Sequence, residues 1–436
     1  MAVGRFSLTE YDPPVALVGQ IAQSTGLAPA RITEWLQAAG DRAALSLRFT
    51  NTPLQIAGQR AQATDFAGLL RVAPAIELEI APKFLGSSSA GWREDFFFLA
   101  MLSRHGRLLS GDRLRAVSSE NTDLATLVAR ALIQMYWDNH RRPIRAYRRC
   151  VESHFAIEGE IDPEDFRLPT DEGFSQTLIR YDRTTAHNAA IRAACEELHP
   201  EVQDADVSAN LARIMQSLGM QAPLHSLRPK RLPSRSRAWH ATYELALDVL
   251  RGFGLTYDGG NARAPGFVLS TWQMWEDLVT ISLRAHLGSE AVAVQKGIQL
   301  GRRQRKTEAD WSSQRSVVVT PDLRIDGSRA GFGELLVDAK YKGRWHQGRQ
   351  RLAEADVYEA MAFAKAATMN HIVLVYPKTA NAAPLAVGTT NLFERVDIDG
   401  LTIWGVEVEV RGIAAKAGLK SFAAGLVESL GAIAKV

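Results

Sequence analysis

Two β-rich runs in the C-terminal half restrict the fold most strongly, because each fixes acidic residues on a strand: VVVTPDLRI (residues 317–325) and GELLVDAKYK (residues 333–342). In the first run Asp322 follows a proline, and in the second Asp338 and Lys340 end an apolar strand. Because side chains alternate along a strand, Asp338 and Lys340 are predicted to share one face. The two runs therefore predict two carboxylates and one ammonium at one point of a β-sheet.

This group of side chains indicates a metal-dependent reaction. Neighbouring carboxylates repel one another unless a cation joins them. Mg²⁺ takes oxygen ligands and keeps several waters, so it can bind to a few carboxylates and to a substrate phosphate. The expected reaction is phosphodiester hydrolysis by a metal-activated water, with Lys340 lowering the pKa of that water or stabilising charge on the phosphate.

The segments on either side supply further acids. An upstream helical segment, TWQMWEDLV, carries Glu276, and a downstream helical segment carries Asp356, Tyr358 and Glu359. In this order the residues resemble the PD-(D/E)xK nucleases, and the resemblance implies that Glu276 adds a metal contact. The expected catalytic residues are Asp322, Asp338, Lys340 and Glu276, with Asp322, Asp338 and Glu276 as ligands of Mg²⁺. The alternative is that Asp338 and Lys340 form only a surface ion pair at a strand end.

Hydrophobic periodicity predicts a multidomain α/β (α+β) protein. Its three expected parts are a β-rich N-terminal domain (1–90), a helical middle domain (91–237) and a C-terminal α/β domain with a mixed central sheet (238–436). The resemblance to the PD-(D/E)xK nucleases implies that the third part is a restriction-endonuclease-like domain. Within the first part, a helix is predicted over Ala30–Ala39 and a strand over residues 44–49. The segment Arg228–Arg237, interrupted by two prolines, is predicted to connect two domains.

Composition excludes several classes of protein. The chain has 436 residues, of which 46% are hydrophobic and 23% charged, as in globular proteins. Its two cysteines, Cys150 and Cys195, are too few for a disulfide framework or a four-cysteine cluster. The apolar patch Phe96–Leu102 is far shorter than the roughly 20 residues that cross a bilayer. The N-terminus has no secretion pattern, so we expect a cytoplasmic protein without a membrane span.

A net charge of +3 means that any nucleic-acid surface must come from local clusters of Lys and Arg. Each cluster alone is typical of a solvated surface. The clusters are Arg141, Arg142, Arg145, Arg148 and Arg149; Arg228, Lys230, Arg231, Arg235 and Arg237; Arg302, Arg303, Arg305 and Lys306; and Lys342, Arg344, Arg349 and Arg351.

Short motifs over most of the chain occur in the order seen in the McrC family. They are IELEIAPKF (76–84), IEGEID (157–162), RYDRTTAHN (180–188), the helix with Glu276, and PD followed by DAKYK. The sequence resembles this family, the nuclease component of McrBC 5-methylcytosine restriction. The resemblance implies an endonuclease subunit that cleaves double-stranded DNA when docked on an McrB-like hexameric AAA+ GTPase, with residues 1–90 as the candidate docking region. In agreement, the sequence lacks a G-x-x-x-x-G-K-[ST] phosphate loop.

Some positions depart from the related nucleases. The helix after the core usually carries Gln and, four residues later, Tyr, whereas this chain has Glu359 and Phe363. Asp182 and Asn188 are expected to form caps or inter-domain hydrogen bonds and not to act in catalysis. Two other functions stay open: a stand-alone or repair-type PD-(D/E)xK nuclease, and a catalytically inactive activator of an AAA+ motor.

Overall fold

The structure is a computed structural model. It describes residues 4–73, 76–89, 91–105, 124–161, 171–202, 204–224, 226–250, 267–307, 310–346, 349–381 and 383–435. Its contacts divide the chain into two compact units, Met1–Asn121 with Val268–Val436, and Thr122–Phe267. These two units differ from the three predicted domains, because residues 1–90 and most of residues 238–436 lie in the same unit. Arg228–Arg237 lies inside the second unit, and the Gly-rich segment 258–266 lies outside the described residues.

The helices and strands are numbered in chain order. The N-terminal part of the first unit contains β1 (Gly4–Thr9), α1 (Leu17–Thr25), α2 (Pro29–Leu47), β2 (Leu54–Ala57), β3 (Arg60–Ala63), β4 (Phe66–Ala73), β5 (Ile76–Ala81) and α3 (Trp92–His105). The second unit contains α4 (Leu124–Asn139), β6 (Ala146–His154), β7 (Glu160–Ile161), β8 (Phe174–Asp182), α5 (Ala186–Leu198), α6 (Ala205–Leu218), a 3₁₀ helix (Ser234–Trp239) and α7 (His240–Leu250).

The chain then returns to the first unit. Its elements there are β9 (Phe267–Ser270), α8 (Thr271–Leu287), β10 (Val292–Val294), β11 (Ile298–Lys306), β12 (Trp311–Val319), β13 (Leu323–Ile325), α9 (Gly327–Ala330), β14 (Leu335–Ala339), β15 (Arg344–His346), β16 (Arg349–Arg351), α10 (Glu354–Ala367), β17 (His371–Pro377), β18 (Thr390–Ile398), β19 (Leu401–Val408) and α11 (Gly418–Ile433).

The N-terminal sheet has the strand order β1-β5-β4-β9. Every residue of β4 and β5 is buried, including two glutamates of the IELEI motif. Glu77 is paired with Arg71 at 2.5 Å and with Arg5 at 3.0 Å, and Arg93 pairs with Glu79 at 2.5 Å. Buried carboxylates require such partners, because an unpaired charge in the interior is costly. The alternating acids of this motif are therefore structural.

Helix α2 corrects one prediction. The strand expected over residues 44–49 is wrong, since the helix continues to Leu47. Ile32, Leu36 and Ala43 are fully buried, at helical spacing, and the helix packs against β2 and β4. Alanine-rich sequence favours the helix, and this apolar face extends it beyond the predicted end at Ala39.

The central sheet of the first unit has six strands in the order β10-β13-β14-β17-β19-β18. Strands β14, β17 and β19 are parallel, whereas β10, β13 and β18 pair antiparallel with their neighbours. Leu336, Ile372 and Ile403 form one apolar cluster with Ala360 and Phe363 of α10. Helix α8 packs against β14 and α11. The predicted α/β class with a mixed central sheet is confirmed.

The second unit contains the helices α4 to α7 and also a three-stranded antiparallel sheet in the order β6-β8-β7. This sheet escaped prediction because β6 and β8 expose large apolar residues and arginines instead of alternating apolar and polar residues. Asn188 donates to the backbone carbonyls of Ile144 and Arg183, and Asp182 accepts from the Thr184 N–H, so both have structural roles. No helix in the described part of the chain is long and apolar enough to cross a membrane.

Candidate active site

Asp322 and Asp338 lie side by side at the ends of adjacent strands. Antiparallel pairing of β13 with β14 places Leu323 opposite Val337, which brings Asp322 next to Asp338. The Asp322 N–H points to Asp338 Oδ1 at 3.4 Å, and the Ala339 N–H donates to Asp322 Oδ2 at 2.8 Å. The predicted meeting of these two carboxylates is therefore present in the structure.

The electrostatic environment disfavours two free negative charges at this place. Burial raises the pKa of Asp322 to about 7, and the carboxylates of Asp338 and Glu276 raise it as well. Asp338 itself is 2% exposed. A desolvated pair of acids of this kind either keeps a proton near neutral pH or binds a cation.

Lys340 supplies the nearest positive charge. Its Nζ lies 2.7 Å from Asp338 Oδ2 and 2.6 Å from Glu359 Oε2. Burial alone lowers the pKa of Lys340, but the ion pairs with Asp338 and Glu359 raise it above its ordinary value. Lys340 is therefore a permanent cation, and Asp338 and Lys340 share one face as the strand alternation predicts.

Glu276 approaches the pair from α8. Its Oε1 accepts a hydrogen bond of 2.5 Å from Gln295 Nε2, and the Gln295 N–H donates to the Asp322 carbonyl at 2.8 Å. Burial raises the pKa of Glu276, and so do the charges of Asp277 and Asp338. Gln295 thus ties Glu276 to the strand end of Asp322. Sequence reasoning did not identify Gln295, whose only signal is its place directly after β10.

The chemistry of these donors fits a divalent cation, although no complete metal cage is preformed. Within the described ranges, no group of three or more His, Cys, Asp and Glu side chains is arranged to hold a metal ion. The Asp338 Oδ2 atom is buried and accepts no directed hydrogen bond from the described residues, so its ion-pair contact with Lys340 leaves a lone pair for a further cation. Mg²⁺ needs only one or two carboxylates when substrate and water complete its coordination. Its binding by Asp322, Asp338 and Glu276 stays a prediction.

Helix α10 contributes polar groups on the Lys340 side. Glu359 pairs with Lys340, and Asp356 accepts a hydrogen bond of 2.8 Å from Tyr376 Oη. Burial raises the pKa of Asp356. Phe363 is buried in the apolar cluster, and Tyr358 is 68% exposed. The helix therefore reaches the site through Glu359 and Asp356.

An open cleft of about 580 Å³ lies beside Lys340. The walls include Asp356, the half-exposed Trp272 and residues 48–53 from the end of α2 and the loop after it. The N-terminal part of the chain therefore forms one side of the cleft in which a substrate would meet Lys340.

A buried polar network anchors the backbone just after Lys340. Glu10, which is fully buried, accepts hydrogen bonds from Tyr341 Oη and from Thr271 Oγ1 at 2.7 Å, and Lys83 donates to the Tyr341 carbonyl. Burial raises the pKa of Glu10 to about 7 and lowers the pKa of Lys83 to about 8. Lys83 belongs to the IELEIAPKF motif, which indicated the family but not this contact with the DAKYK motif.

The chain is similar to proteins of a known family and to solved structures. The family model described as McrBC 5-methylcytosine restriction system component matches residues 61–377. No curated protein matches the sequence significantly. Among solved structures, the chain is similar to one in the refined half-complex from a tetradecameric assembly of Thermococcus gammatolerans McrB AAA+ hexamers with bound McrC, at 13% identity and a TM-score of 0.65 over 98% of this chain and 100% of that chain. A match to the cryo-EM structure of the Thermococcus gammatolerans McrBC complex has 13% identity and a TM-score of 0.48, over 65% of this chain and 88% of that chain. At this identity the likeness is one of fold.

Proposed function

Because the chain belongs to the McrBC 5-methylcytosine restriction system component family, we propose that it is the Mg²⁺-dependent endodeoxyribonuclease subunit of a restriction system. The observation that supports this proposal is the meeting of Asp322, Asp338 and Lys340 at two adjacent strand ends. One buried acid, Asp338, and one half-buried acid, Asp322, beside a permanent cation can hold a metal and a phosphate together.

In this proposal Asp322 and Asp338 hold the metal, and Glu276 adds a contact from α8. When bound, Mg²⁺ supplies a hydroxide-like water and neutralises charge on the phosphate. Lys340, held between Asp338 and Glu359, directs its ammonium at the negative charge that develops on the phosphate. Gln295 keeps Glu276 oriented through its hydrogen bond.

We further propose that the partner is a McrB-like AAA+ GTPase hexamer whose GTP hydrolysis this chain stimulates. The structure that resembles this chain over its whole length contains McrB AAA+ hexamers with bound McrC. Residues 1–90 are the candidate docking region. Because β9 completes the sheet of β1, β4 and β5, deletion of this region would also disrupt the first unit. Substitutions at exposed positions there, such as Leu45→Glu, test docking without removing the sheet.

The proposal is tested with Asp338→Asn in the full chain, assembled with its motor partner. Cleavage of 5-methylcytosine-containing plasmid DNA in Mg²⁺ and GTP is measured beside the GTPase rate of the same samples. The variant is expected to lose cleavage and to keep GTPase stimulation. Asp399→Asn is the matched control, because the same chemical change occurs at an exposed turn residue with φ of 45°, which Asn tolerates.

The same assay separates the alternative functions. Cleavage at full rate without the motor would indicate a stand-alone nuclease. Absence of cleavage by the wild-type complex, with normal GTPase stimulation, would indicate an inactive activator. Wild-type cleavage by Asp338→Asn would exclude this site as the catalytic centre.

A further inference from the structure

The hairpin of β11 and β12 forms a two-stranded ribbon of its own. The two strands pair with each other from Ile298–Val319 to Lys306–Trp311 and, among the described residues, belong to no larger sheet. Most of their side chains are exposed, including Trp311 at 58%. The ribbon contacts α10 of the same unit. Val319 at the base of the ribbon packs against the apolar cluster of the central sheet, whereas the cations farther along the two strands are exposed and not required by that core.

The ribbon is strongly basic. Five cations lie on it, all of them exposed: Arg302, Arg303, Arg305, Lys306 and Arg315. In the parts of the chain that the structure describes, none of the five forms an ion pair with a carboxylate. By contrast, Arg324, just beyond the ribbon, pairs with Glu334 at 2.6 Å. The positive charge of the ribbon is therefore uncompensated within the described protein.

Two of these cations face each other. In the strand register Arg303 lies directly opposite Arg315. Like charges at opposed positions of an antiparallel pair destabilise it. A polyanion placed along the ribbon would relieve this repulsion, which is the electrostatic relationship expected of a surface that binds phosphates.

The ribbon is joined to the candidate active site at both ends. β11 begins three residues after Gln295, which holds Glu276, and β12 ends three residues before Asp322. A strand advances about 3.3 Å per residue, so the ribbon extends on the order of 25 Å from its base. A two-stranded ribbon fits the major groove of B-form DNA, which is about 12 Å wide.

We propose that the β11–β12 ribbon is an arm that binds the phosphate backbone of duplex DNA beside the catalytic centre. This inference rests on the proposed nuclease function, since that function makes DNA the polyanion that must reach Asp322 and Asp338. Uncompensated charge, the opposed arginines and the direct connection to the site all favour a nucleic acid over an apolar protein surface.

The test uses two variants of the full chain in complex with its motor partner. The arm variant Arg302→Gln/Arg303→Gln/Arg315→Gln removes three cations. Its matched control, Arg284→Gln/Lys416→Gln/Lys420→Gln, removes three exposed cations elsewhere in the same unit. Duplex DNA affinity is measured by fluorescence anisotropy in EDTA, which prevents cleavage, over a range of salt concentrations.

The arm variant is expected to bind duplex DNA at least tenfold more weakly and to lower the slope of log affinity against log salt by about 2 to 3, because each phosphate contact contributes about 0.9. The control should stay within twofold of the wild type. Thermal unfolding of the arm variant should be unchanged or shifted upward, because the Arg303–Arg315 repulsion is gone. Unchanged affinity and salt slope would overturn the proposal. Lost GTPase stimulation with unchanged DNA affinity would assign the arm to the motor partner instead.

A second variant, Arg315→Glu, separates DNA binding from a structural role. The substitution places opposite charges across the strands at Arg303 and position 315 and should stabilise the ribbon, while DNA affinity should fall below that of the wild type. Unchanged DNA affinity in Arg315→Glu would contradict the proposal that the ribbon binds duplex DNA. These binding results do not depend on the active site. The cleavage assay of Asp338→Asn tests whether this chain is a nuclease, and the binding assay of the arm variants tests whether the ribbon binds DNA.

Discussion

The ammonium of Lys340 lies 2.6 Å from the carboxylate of Glu359, on the helix position where related nucleases usually carry Gln. The same ammonium lies 2.7 Å from Asp338, so Glu359 and Asp338 share one cation. Glu359 is half exposed, and such a pair contributes at most about 1 kcal/mol to stability. Its effect is therefore on the position of Lys340 and not on the fold.

The pair leads to a prediction for Glu359. Glu359→Gln keeps a hydrogen-bond acceptor for Lys340 and should leave DNA cleavage within about threefold of the wild type, since a small change of about 0.6 kcal/mol in barrier has that effect. Glu359→Lys places a like charge beside Lys340 and should reduce cleavage strongly while thermal stability changes little. The measurement is the plasmid cleavage rate with unfolding curves on the same samples. Equal cleavage by both variants would show that Glu359 does not position Lys340.

Lys340 is predicted to act on the transition state. Lys340→Ala removes a preorganised positive charge and should lower the cleavage rate by two to three decades, equivalent to about 3 kcal/mol or more. Assembly with the motor and GTPase stimulation should be normal, because Lys340 is not part of the candidate docking region. Lys365→Ala, on the last turn of α10, is the control and should cleave normally. Wild-type cleavage by Lys340→Ala would remove this residue from the mechanism.

Glu276 is predicted to lower the Mg²⁺ concentration that DNA cleavage requires. Glu276→Gln removes a charge from a site that holds Asp322 and Asp338, so half-maximal cleavage should need a higher Mg²⁺ concentration, with less effect at saturation. Gln295→Ala should produce a weaker shift in the same direction, because it frees Glu276 without removing its charge. Titration of Mg²⁺ in the cleavage assay measures both. An unchanged Mg²⁺ requirement in Glu276→Gln would indicate that Asp322 and Asp338 bind the metal without Glu276.

Glu10 makes stability depend on pH. Its pKa in the folded chain is raised to about 7 by burial, from an ordinary value of 4.5. Between these values the unfolded chain releases a proton that the folded chain keeps, so stability falls as pH rises from about 4.5 to about 7. One pKa unit corresponds to about 1.4 kcal/mol. Glu10→Gln, which stays neutral, should lose the share of this slope that Glu10 contributes, while Asp322, whose pKa is also raised to about 7, keeps its own share. Urea unfolding of both proteins at pH 5 and pH 7 measures the difference. The same slope in both proteins would contradict a protonated Glu10.

Asp95 is predicted to hold the two ends of the first unit together. It is 2% exposed, and its carboxylate accepts hydrogen bonds from the N–H groups of Gly412 at 2.6 Å and Ala414 at 2.9 Å. Asp95→Ala leaves these groups without their acceptor and should destabilise the chain by about 2 to 4 kcal/mol. Glu34→Ala, at an exposed position of α2, should change stability by less than about 0.5 kcal/mol. Urea unfolding compares the two, and a small effect of Asp95→Ala would show that the segment after β19 is held by other contacts.

The parts of the fold predicted from the sequence are those in which hydrophobic periodicity and burial agree. β14 and β17 are apolar and buried, and strand alternation was enough to place Asp338 and Lys340 together. The resemblance to the McrC family, drawn from short motifs, is confirmed by the family model. The middle region was predicted to be helical, and its helices are present.

What could not be predicted depends on distant contacts or on exposed strands. β11 lacks an apolar face, so nothing in its periodicity marks it as a strand. The pairing of β9 with β4 and the contact of Lys83 with Tyr341 join residues far apart in the sequence, and local patterns carry no information on such pairing. For that reason the sequence suggested a separate N-terminal domain, whereas these residues share a unit with the candidate site.

The interrupted course of the first unit has a consequence during protein synthesis. Asp95 meets Gly412 only after 317 more residues have been added, and β9 leaves the ribosome after the whole of the second unit. The second unit is continuous and can fold as it emerges from the ribosome. The sheet of β1, β4 and β5 cannot be completed until β9 has been synthesised. A chain that stops before its last elements therefore lacks the partners that complete the first unit. Under the proposed nuclease function, we expect such truncated products to lack DNA cleavage.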